Sequence, residues 1–232
     1  MHIHIKKHPL VKINFKAGLV EALTIVFAVF TALAVDNWWQ GREEHRMAAE
    51  AKERIFEEMV FNYSLLRTNQ TRGRVVAEFM ESKQGEMAKC QNFYEYALKF
   101  GGYSGITYKD GAWKQALNDR IAARMDPKFI EKAYNVYITA ENAHQLSMKA
   151  LDIVFGESFY HKEKMATVLS ISRAYYREFA RISRELRELY EEFFVGFFPQ
   201  RAQQIIRKGD EEARQLETKL TERERAQVRE RV

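Results

Sequence analysis

The feature that most constrains this chain is a long apolar segment close to its first residue. Residues 17–35 read AGLVEALTIVFAVFTALAV and include a single charged side chain, that of Glu21. A helix of about 20 such residues crosses the roughly 30 Å hydrocarbon layer of a membrane. The alternative is a core helix of a soluble protein, but such a helix usually keeps a polar face. The stretch from Ala22 to Val35 has none, so we predict one transmembrane helix at residues 17–38.

The residues on either side of this segment predict the orientation of the helix. Trp38 and Trp39 follow it directly, and tryptophan rings favour the headgroup zone of a bilayer, which makes them candidate interface anchors. Residues 1–16 form a basic head with four lysines and no acidic residue. Because positively charged flanks stay in the cytoplasm, the N-terminus is predicted to be cytoplasmic and the rest of the chain exported.

A cleavable signal peptide is the competing interpretation of the same segment. Ala32-Leu33-Ala34 fits the pattern of small residues at a cleavage site, after a basic head and an apolar stretch. However, Glu21 interrupts the apolar region, and the run continues to Val35 before the tryptophan pair. We therefore expect the helix to be retained, with cleavage left open.

Small and polar residues recur along one side of the predicted transmembrane helix. Residues of this kind follow Glu21 at three- and four-residue spacing and form a stripe on the helix. Small side chains let helices approach closely in lipid. The alternatives are that Glu21 only reaches the headgroups and that such a stripe arises by chance in an alanine-rich span. The stripe predicts a helix-packing face toward a second copy or another membrane protein; its members are Glu21, Thr24, Ala28, Ala32 and Asp36.

The rest of the sequence is typical of an all-α protein built as a bundle of long helices. Prolines number three and glycines 11, and no strand-like alternation extends beyond a few residues. We expect an extracytoplasmic helical domain at residues 39–199 and a charged, solvated helical tail at 200–232. Helices are predicted for residues 42–70, from 76 to 100 after a polar interruption at 69–73, for 112–125, from Pro127 to about Gly156, and for 159–194 up to the GFFP sequence at 196–199.

Charge and cysteine content exclude several kinds of protein. The net charge of +5 comes largely from the basic head, and the charges after residue 41 are nearly balanced. A nucleic-acid-binding protein normally concentrates its basic side chains on a patch, so nucleic acid is not an expected partner. The single cysteine, Cys90, rules out an intrachain disulfide and any multi-cysteine metal site.

One predicted loop carries candidate recognition residues. Residues 101–111 read GGYSGITYKDG, which combines glycines with two tyrosines. Loops on rigid scaffolds often bind ligands, so Tyr103, Tyr108 and the following Trp113 form a candidate small-ligand site. The alternative is a simple connection between two helices.

One pair of residues at helical spacing suggests a metal site. Glu141 and His144 lie on one helical face in the Glu-x-x-His spacing of di-iron bundles, and Glu157 and His161 could face them. A complete site of that kind needs the motif twice, and only one copy is present. No nucleophile elbow, phosphate-cradling loop or His-Glu-x-x-His motif occurs. We therefore expect no metal or other cofactor, and a metal-dependent bundle enzyme remains an alternative function.

The junction between the apolar segment and the charged helix carries a resemblance to a known family. The matching residues are Glu21, Ala32-Leu33, Asp36-Asn37-Trp38 and Arg42-Glu43-Glu44. They resemble a bacterial family of uncharacterised single-span membrane proteins, which has a glutamate in its N-terminal helix and an Asn-Asn-Trp-like junction. This chain has Asp36 where that family usually has asparagine, and Trp39 is additional. The resemblance implies an integral protein of the bacterial inner membrane and favours retention of the helix.

Together these patterns predict a non-enzymatic, membrane-anchored helical protein. A regular helical core without a chemical constellation suits assembly, scaffolding or sensing at the periplasmic face. The expected partners are the lipid bilayer and either a second copy or another membrane protein.

Overall fold

The computed structural model describes residues 15–100, 105–154 and 156–229, and these are almost entirely helical. No strand occurs among them, which confirms the all-α prediction. The helices are α1 (Phe15–Ser82), α2 (Phe93–Phe100), α3 (Gly111–Asn118), α4 (Pro127–Val154), α5 (Met165–Phe197) and α6 (Pro199–Arg229), with short 3-10 helices at Gln84–Lys89, Ile121–Arg124, Glu157–Tyr160 and Lys162–Lys164.

The chain divides into two units, residues 1–47 and 48–232. The described part of the first unit belongs to α1, and all its side chains from residue 18 to 40 are exposed. Its most apolar 18-residue window has a mean hydropathy of 2.2. Within the residues that the structure describes, α1 is the one helix long and apolar enough to cross a membrane.

The second unit is a helical bundle in which α5 packs against α1, α4 and α6. Contacts of α5 with α1 run from Phe56 beside Phe194 to Gly73 beside Phe179, so the two helices are antiparallel. Contacts with α4 run from Phe129 beside Phe193 to Ser147, whose Oγ lies 3.2 Å from the Tyr175 hydroxyl, and these helices are also antiparallel. Helix α5 is therefore the element that joins the layers of the bundle.

An aromatic cluster forms one end of the bundle core. Phe194 is fully buried, and its ring centroid lies 6.0 Å from that of Phe56 and 5.6 Å from that of Tyr63. Tyr190 and Phe193, also buried, lie 6.1 Å from it. Helical spacing in the sequence predicts Tyr63 and Phe193 as core positions, whereas Phe56, Tyr190 and Phe194 are not singled out by it.

The sequence predicted a polar interruption at residues 69–73, and this prediction is wrong. Helix α1 continues through Gly73 and ends at Ser82, twelve residues after the predicted end at residue 70. A Cβ atom at Gly73 would lie 2.9 Å from Cε1 of Phe179. The glycine is therefore used for close helix packing against α5 rather than for a turn, because tertiary contacts override a weak local preference.

The charged tail also differs from its prediction, because the first half of α6 packs against α1 instead of being solvated. Ala202 is 1% exposed, and the guanidinium of Arg201 lies 2.6 Å from the Glu53 carboxylate. Further along, Ser64 donates to Glu212 at 2.6 Å. Since residue numbers on both helices rise together along the contact, α6 runs parallel to α1.

Several predicted helix ends agree with the structure, and others shift by a few residues. Helix α4 starts at Pro127, where the Asp126 carboxylate accepts the Lys128 N–H at 2.9 Å. The helix predicted at 112–125 is broken by Arg120, which has a left-handed φ of 56°. Helix α5 begins at Met165 instead of residue 159, since two 3-10 turns precede it, and it ends at Phe197 just before Pro199.

Candidate functional site

The predicted helix-packing stripe lies on the exposed apolar part of α1. With 3.6 residues per turn, its five members fall within about 120° of the helix circumference. The Thr24 hydroxyl donates to the Val20 carbonyl at 2.8 Å, and Gln40 donates to Asp36 at 2.8 Å. Glu21 makes no hydrogen bond or ion pair with any other described residue. Among the polar groups of the stripe, the Glu21 carboxylate is thus the one without a hydrogen-bond partner among the described residues of its own helix.

The two candidate interface anchors follow the apolar segment on the same helix. The side chains of Trp38 and Trp39 are 61% and 62% exposed. The Arg42 guanidinium lies 5.8 Å from the centroid of the Trp38 ring. An aromatic ring beside a cation is a favourable arrangement where the polar headgroups begin.

In the second unit, the loop between α2 and α3 is held by a buried asparagine on α1. Asn62 is 2% exposed, and its Nδ2 donates to the Lys109 carbonyl at 2.7 Å. Its Oδ1 accepts the Lys109 N–H, also at 2.7 Å. The side-chain amide therefore satisfies both backbone groups of one loop residue, as a neighbouring strand would.

A glutamate one turn earlier on α1 holds the start of α3. The Glu58 carboxylate accepts the Ala112 N–H at 2.9 Å and the Trp113 N–H at 3.3 Å. These N–H groups lie in the first turn of α3, where no carbonyl of the helix itself can reach them. Glu58 also accepts the Tyr137 hydroxyl at 2.6 Å, and burial followed by this hydrogen bond raises the pKa of Tyr137. The phenol therefore stays protonated and remains a donor.

The loop is also bonded to α4, through the residues that were candidates for a metal site. Tyr108 donates its hydroxyl to Glu141, which lowers the pKa of that carboxyl. Burial and the same hydrogen bond raise the pKa of Tyr108. His144 Nδ1 lies 2.8 Å from the Ile106 carbonyl, so the proton of the ring is assigned to Nδ1. Both residues of the Glu-x-x-His motif are thus engaged with the loop.

The beginning of the described loop contacts the same face of α4. The Ile106 N–H donates to Ser147 Oγ at 3.0 Å, and the Tyr175 hydroxyl donates to it at 3.2 Å. Ser147 in turn donates to the Ala143 carbonyl at 2.9 Å. A Cβ at Gly105 would lie 3.2 Å from the Ser147 Cβ, so the backbone approaches α4 closely.

Two of the three aromatic residues of the candidate ligand-binding site, Tyr108 and Trp113, contact side chains of α4. Trp113 is buried and stacks on Tyr137, with ring centroids 5.2 Å apart and an interplanar angle of 12°. Tyr108 packs beside His144, while Tyr103 lies outside the described residues. Tyr108 and Trp113 thus pack within the second unit, and ligand binding by this loop stays a prediction.

The Asn62 contact leads to a stability prediction. Replacing Asn62 by alanine leaves a buried N–H and a buried carbonyl of Lys109 without partners, at about 1–3 kcal/mol each. We expect the Asn62→Ala variant to lose about 2–4 kcal/mol of unfolding free energy. Urea unfolding of the full chain in detergent micelles, followed by circular dichroism, measures this loss. Asn142→Ala, at an exposed position on α4, is the control and should change stability by less than about 0.5 kcal/mol; equal losses in both variants would contradict the assignment.

The four metal-site candidates do not form one cluster. His161 Nε2 lies 3.4 Å from Glu157, and its Nδ1 lies 3.1 Å from Glu163, outside the bundle core. Across the described ranges, no group of three or more His, Cys, Asp and Glu side chains is placed to hold a metal ion. The prediction that Glu157 and His161 face Glu141 and His144 is therefore not supported by the geometry.

A cavity that the sequence did not single out lies between α1 and α5. Its volume is about 590 Å³, and it spans residues 70–81 of α1 and 169–184 of α5. Arginines at positions 173, 177 and 184 line it. Their spacing of four and seven residues places them on one helical face, a signal visible in the sequence but indistinguishable there from an ordinary solvated face.

The chain was compared with models of protein families, with curated proteins and with solved structures, and none of them matches it.

Proposed function

We propose that this chain is a single-span protein of the bacterial inner membrane that works through association in the membrane. Its N-terminus is cytoplasmic, and its helical domain lies at the periplasmic face, where it acts without catalysis in assembly, scaffolding or sensing. The observation that carries this proposal is the exposed apolar part of α1, in which every described side chain from residue 18 to 40 lacks cover from the protein.

The free energy of the apolar segment supports a lipid environment. Burial of apolar surface contributes about 25 cal/mol per Å², and the side chains of residues such as Phe27 and Phe30 are 74% and 68% exposed. Leaving such a surface in water is costly, whereas a bilayer covers all faces at once. The hydroxyls of Thr24 and Thr31 each donate to the carbonyl four residues earlier at 2.8 Å, which satisfies them without water.

The orientation follows from the flanking residues. The basic head and the tryptophan pair mark opposite ends of the apolar segment, and the positive-inside tendency places the head in the cytoplasm. The resemblance of the Asp36-Asn37-Trp38 junction to that of bacterial single-span proteins supports the inner membrane as the location and retention of the helix.

The stripe on α1 supports a partner for the helix itself. An ionisable side chain within a spanning segment generally faces another helix or a polar group. Glu21 has no partner on its own helix, and Ala28 and Ala32 would let a second helix approach closely. We infer that a second copy of the chain packs against this face.

Cysteine cross-linking in membranes tests this association. Ala28→Cys and Ala32→Cys lie on the stripe, whereas Ala34→Cys lies on the opposite side of the helix and serves as the matched control. After oxidation with copper phenanthroline, we expect several-fold more disulfide dimer from the first two variants. Native Cys90 contributes little background because it is 2% exposed.

Adding Glu21→Ala to the Ala28→Cys variant should lower the dimer yield, since the contact of the Glu21 carboxylate with the second helix would be lost. Equal yields at positions 28, 32 and 34, or no dimer at any of them, would contradict self-association through this face.

A further inference from the structure

The cavity between α1 and α5 has the composition of a ligand site. At about 590 Å³ it lies within the range of roughly 300–1,000 Å³ that small-molecule sites occupy. Its apolar part includes Ala77, Met80, Leu169 and Phe179, of which the last three are at most 4% exposed. Such side chains can cover the apolar body of a bound molecule.

Two polar donors at the cavity are buried and lack acceptors. Ser172 is 1% exposed, and its hydroxyl has no hydrogen-bond partner among the described residues. Nε of the neighbouring Arg173 is likewise without a partner, although the Nη2 of that residue donates to Gln84 at 2.5 Å. Because a buried donor left unpaired is unfavourable, the two atoms indicate a place for an acceptor supplied by a ligand.

Two further arginines line the same cavity with free guanidinium groups. Arg177 and Arg184 are exposed and make no hydrogen bond or ion pair with another described residue. They differ in this from Arg74, which lies 2.7 Å from the Glu217 carboxylate. The cavity therefore presents positive charge that no internal carboxylate uses.

The two acidic residues of the lining are already engaged. Glu78 lies 3.3 Å from the Arg74 guanidinium, and Glu81 lies 3.8 Å from that of Arg173. After these pairs are counted, the two free arginines remain as the unbalanced charges of the cavity. An anion is thus the ligand that the electrostatics favour.

We propose that this cavity binds an amphipathic organic carboxylate. The carboxylate accepts hydrogen bonds from Ser172 Oγ and Arg173 Nε and pairs with Arg177, since guanidinium and carboxylate groups match in geometry. The apolar body lies against Met80, Leu169 and Phe179. This inference goes beyond the proposed function and does not depend on it, because all the residues involved belong to the second unit.

Titration calorimetry of the full chain in nonionic detergent micelles tests the ligand class. The probe is 4-phenylbutyrate, with 4-phenylbutan-1-ol as its neutral analogue and butyrate as the carboxylate with little apolar surface; empty micelles give the background. We expect one phenylbutyrate per chain and at least about tenfold weaker binding of the other two compounds, as charge-assisted hydrogen bonds and apolar burial predict. Absence of phenylbutyrate binding, or equal binding of the alcohol, would overturn the proposal.

Matched variants locate the site. Arg177→Gln combined with Arg184→Gln should weaken phenylbutyrate binding at least about tenfold, a loss of roughly 1.4 kcal/mol or more. Arg181→Gln is the control, because Arg181 lies on the same helix but pairs with Glu178 and is not part of the lining. If Arg181→Gln weakens binding as much as the double variant, the effect is one of general charge and the assigned site is wrong.

Ser172→Ala separates ligand binding from folding. Removing a buried hydroxyl without a partner should leave the melting temperature of the free protein unchanged or higher. In the ligand-binding interpretation the same variant binds phenylbutyrate several-fold more weakly. Unchanged affinity in this variant would contradict the role assigned to the hydroxyl.

Discussion

Replacing both Val26 and Val29 by arginine is expected to release the protein from the membrane. The two side chains are 49% and 53% exposed on α1, near the middle of the apolar segment. An arginine at the centre of a spanning helix costs about 2.5–3.5 kcal/mol on the insertion scale. The pair therefore costs about 5–7 kcal/mol, and we expect this cost to prevent insertion of the helix.

Two measurements check this result and the sidedness together. In the unmodified protein, alkaline phosphatase fused after Val232 should be active, because its disulfides form only in the oxidising periplasm. The protein should also remain in the pellet after carbonate washing. In the double-arginine variant, phosphatase activity should fall to background and the chain should move to the soluble fraction.

A matched control uses exposed apolar residues of the second unit. Leu98 and Val195 are 68% and 58% exposed, at least as much as the two valines of α1. Changing both to arginine should leave membrane retention and phosphatase activity unaltered. Loss of retention in the control, unchanged retention in the double-arginine variant, or a mature chain that begins near Val35 would contradict a retained anchor.

Phe194→Ala is expected to give the largest loss of stability in the helical bundle. Phe194 is fully buried, and its ring contacts Phe56 and Tyr63 of α1 as well as Tyr190 and Phe193 of its own helix. Truncation of a buried phenylalanine removes its transfer free energy and leaves a cavity, which together cost about 3–5 kcal/mol. Because aromatic rings from two helices surround this cavity, we expect it to collapse little. The loss of unfolding free energy should therefore lie in the upper half of this range.

The neighbouring Val195 provides the control for this prediction. Its side chain is 58% exposed, so Val195→Ala should change the unfolding free energy by less than about 0.5 kcal/mol. Urea unfolding of both variants in detergent micelles, followed by circular dichroism, compares them directly. A loss below about 1 kcal/mol for Phe194→Ala would mean that α1 and α5 do not pack as described.

The proposed membrane association and the proposed ligand site concern different units of the chain. The stripe from Glu21 to Asp36 belongs to the first unit, and the cavity lined by Ser172 and Arg177 belongs to the second. A variant of one should therefore leave the readout of the other unchanged.

Polar side chains on helices show most clearly where prediction from the sequence stops. Asn62 and Glu58 lie in a stretch of α1 with charged residues on several faces, and nothing in that pattern distinguishes them from solvated neighbours such as Glu57. They became identifiable only because the loop before α3 and the first turn of α3 lie against α1 and present their backbone groups there. These hydrogen bonds join residues that are between 47 and 55 positions apart in the sequence, and local patterns do not encode contacts at that separation.

The sequence by itself determined the helical class, the apolar segment of α1 and a part of the core that includes Tyr63 and Phe193, since these depend on hydrophobic periodicity and on the length of one run. It also located the start of α4 at Asp126-Pro127, because the capping carboxylate and the proline act on adjacent backbone. Only the tertiary structure decided that α1 continues through Gly73, that α6 packs parallel to α1, and that a cavity with free arginines opens beside Ser172. These features arise from contacts between helices distant in the chain, whose free energy exceeds the local preferences that a sequence displays.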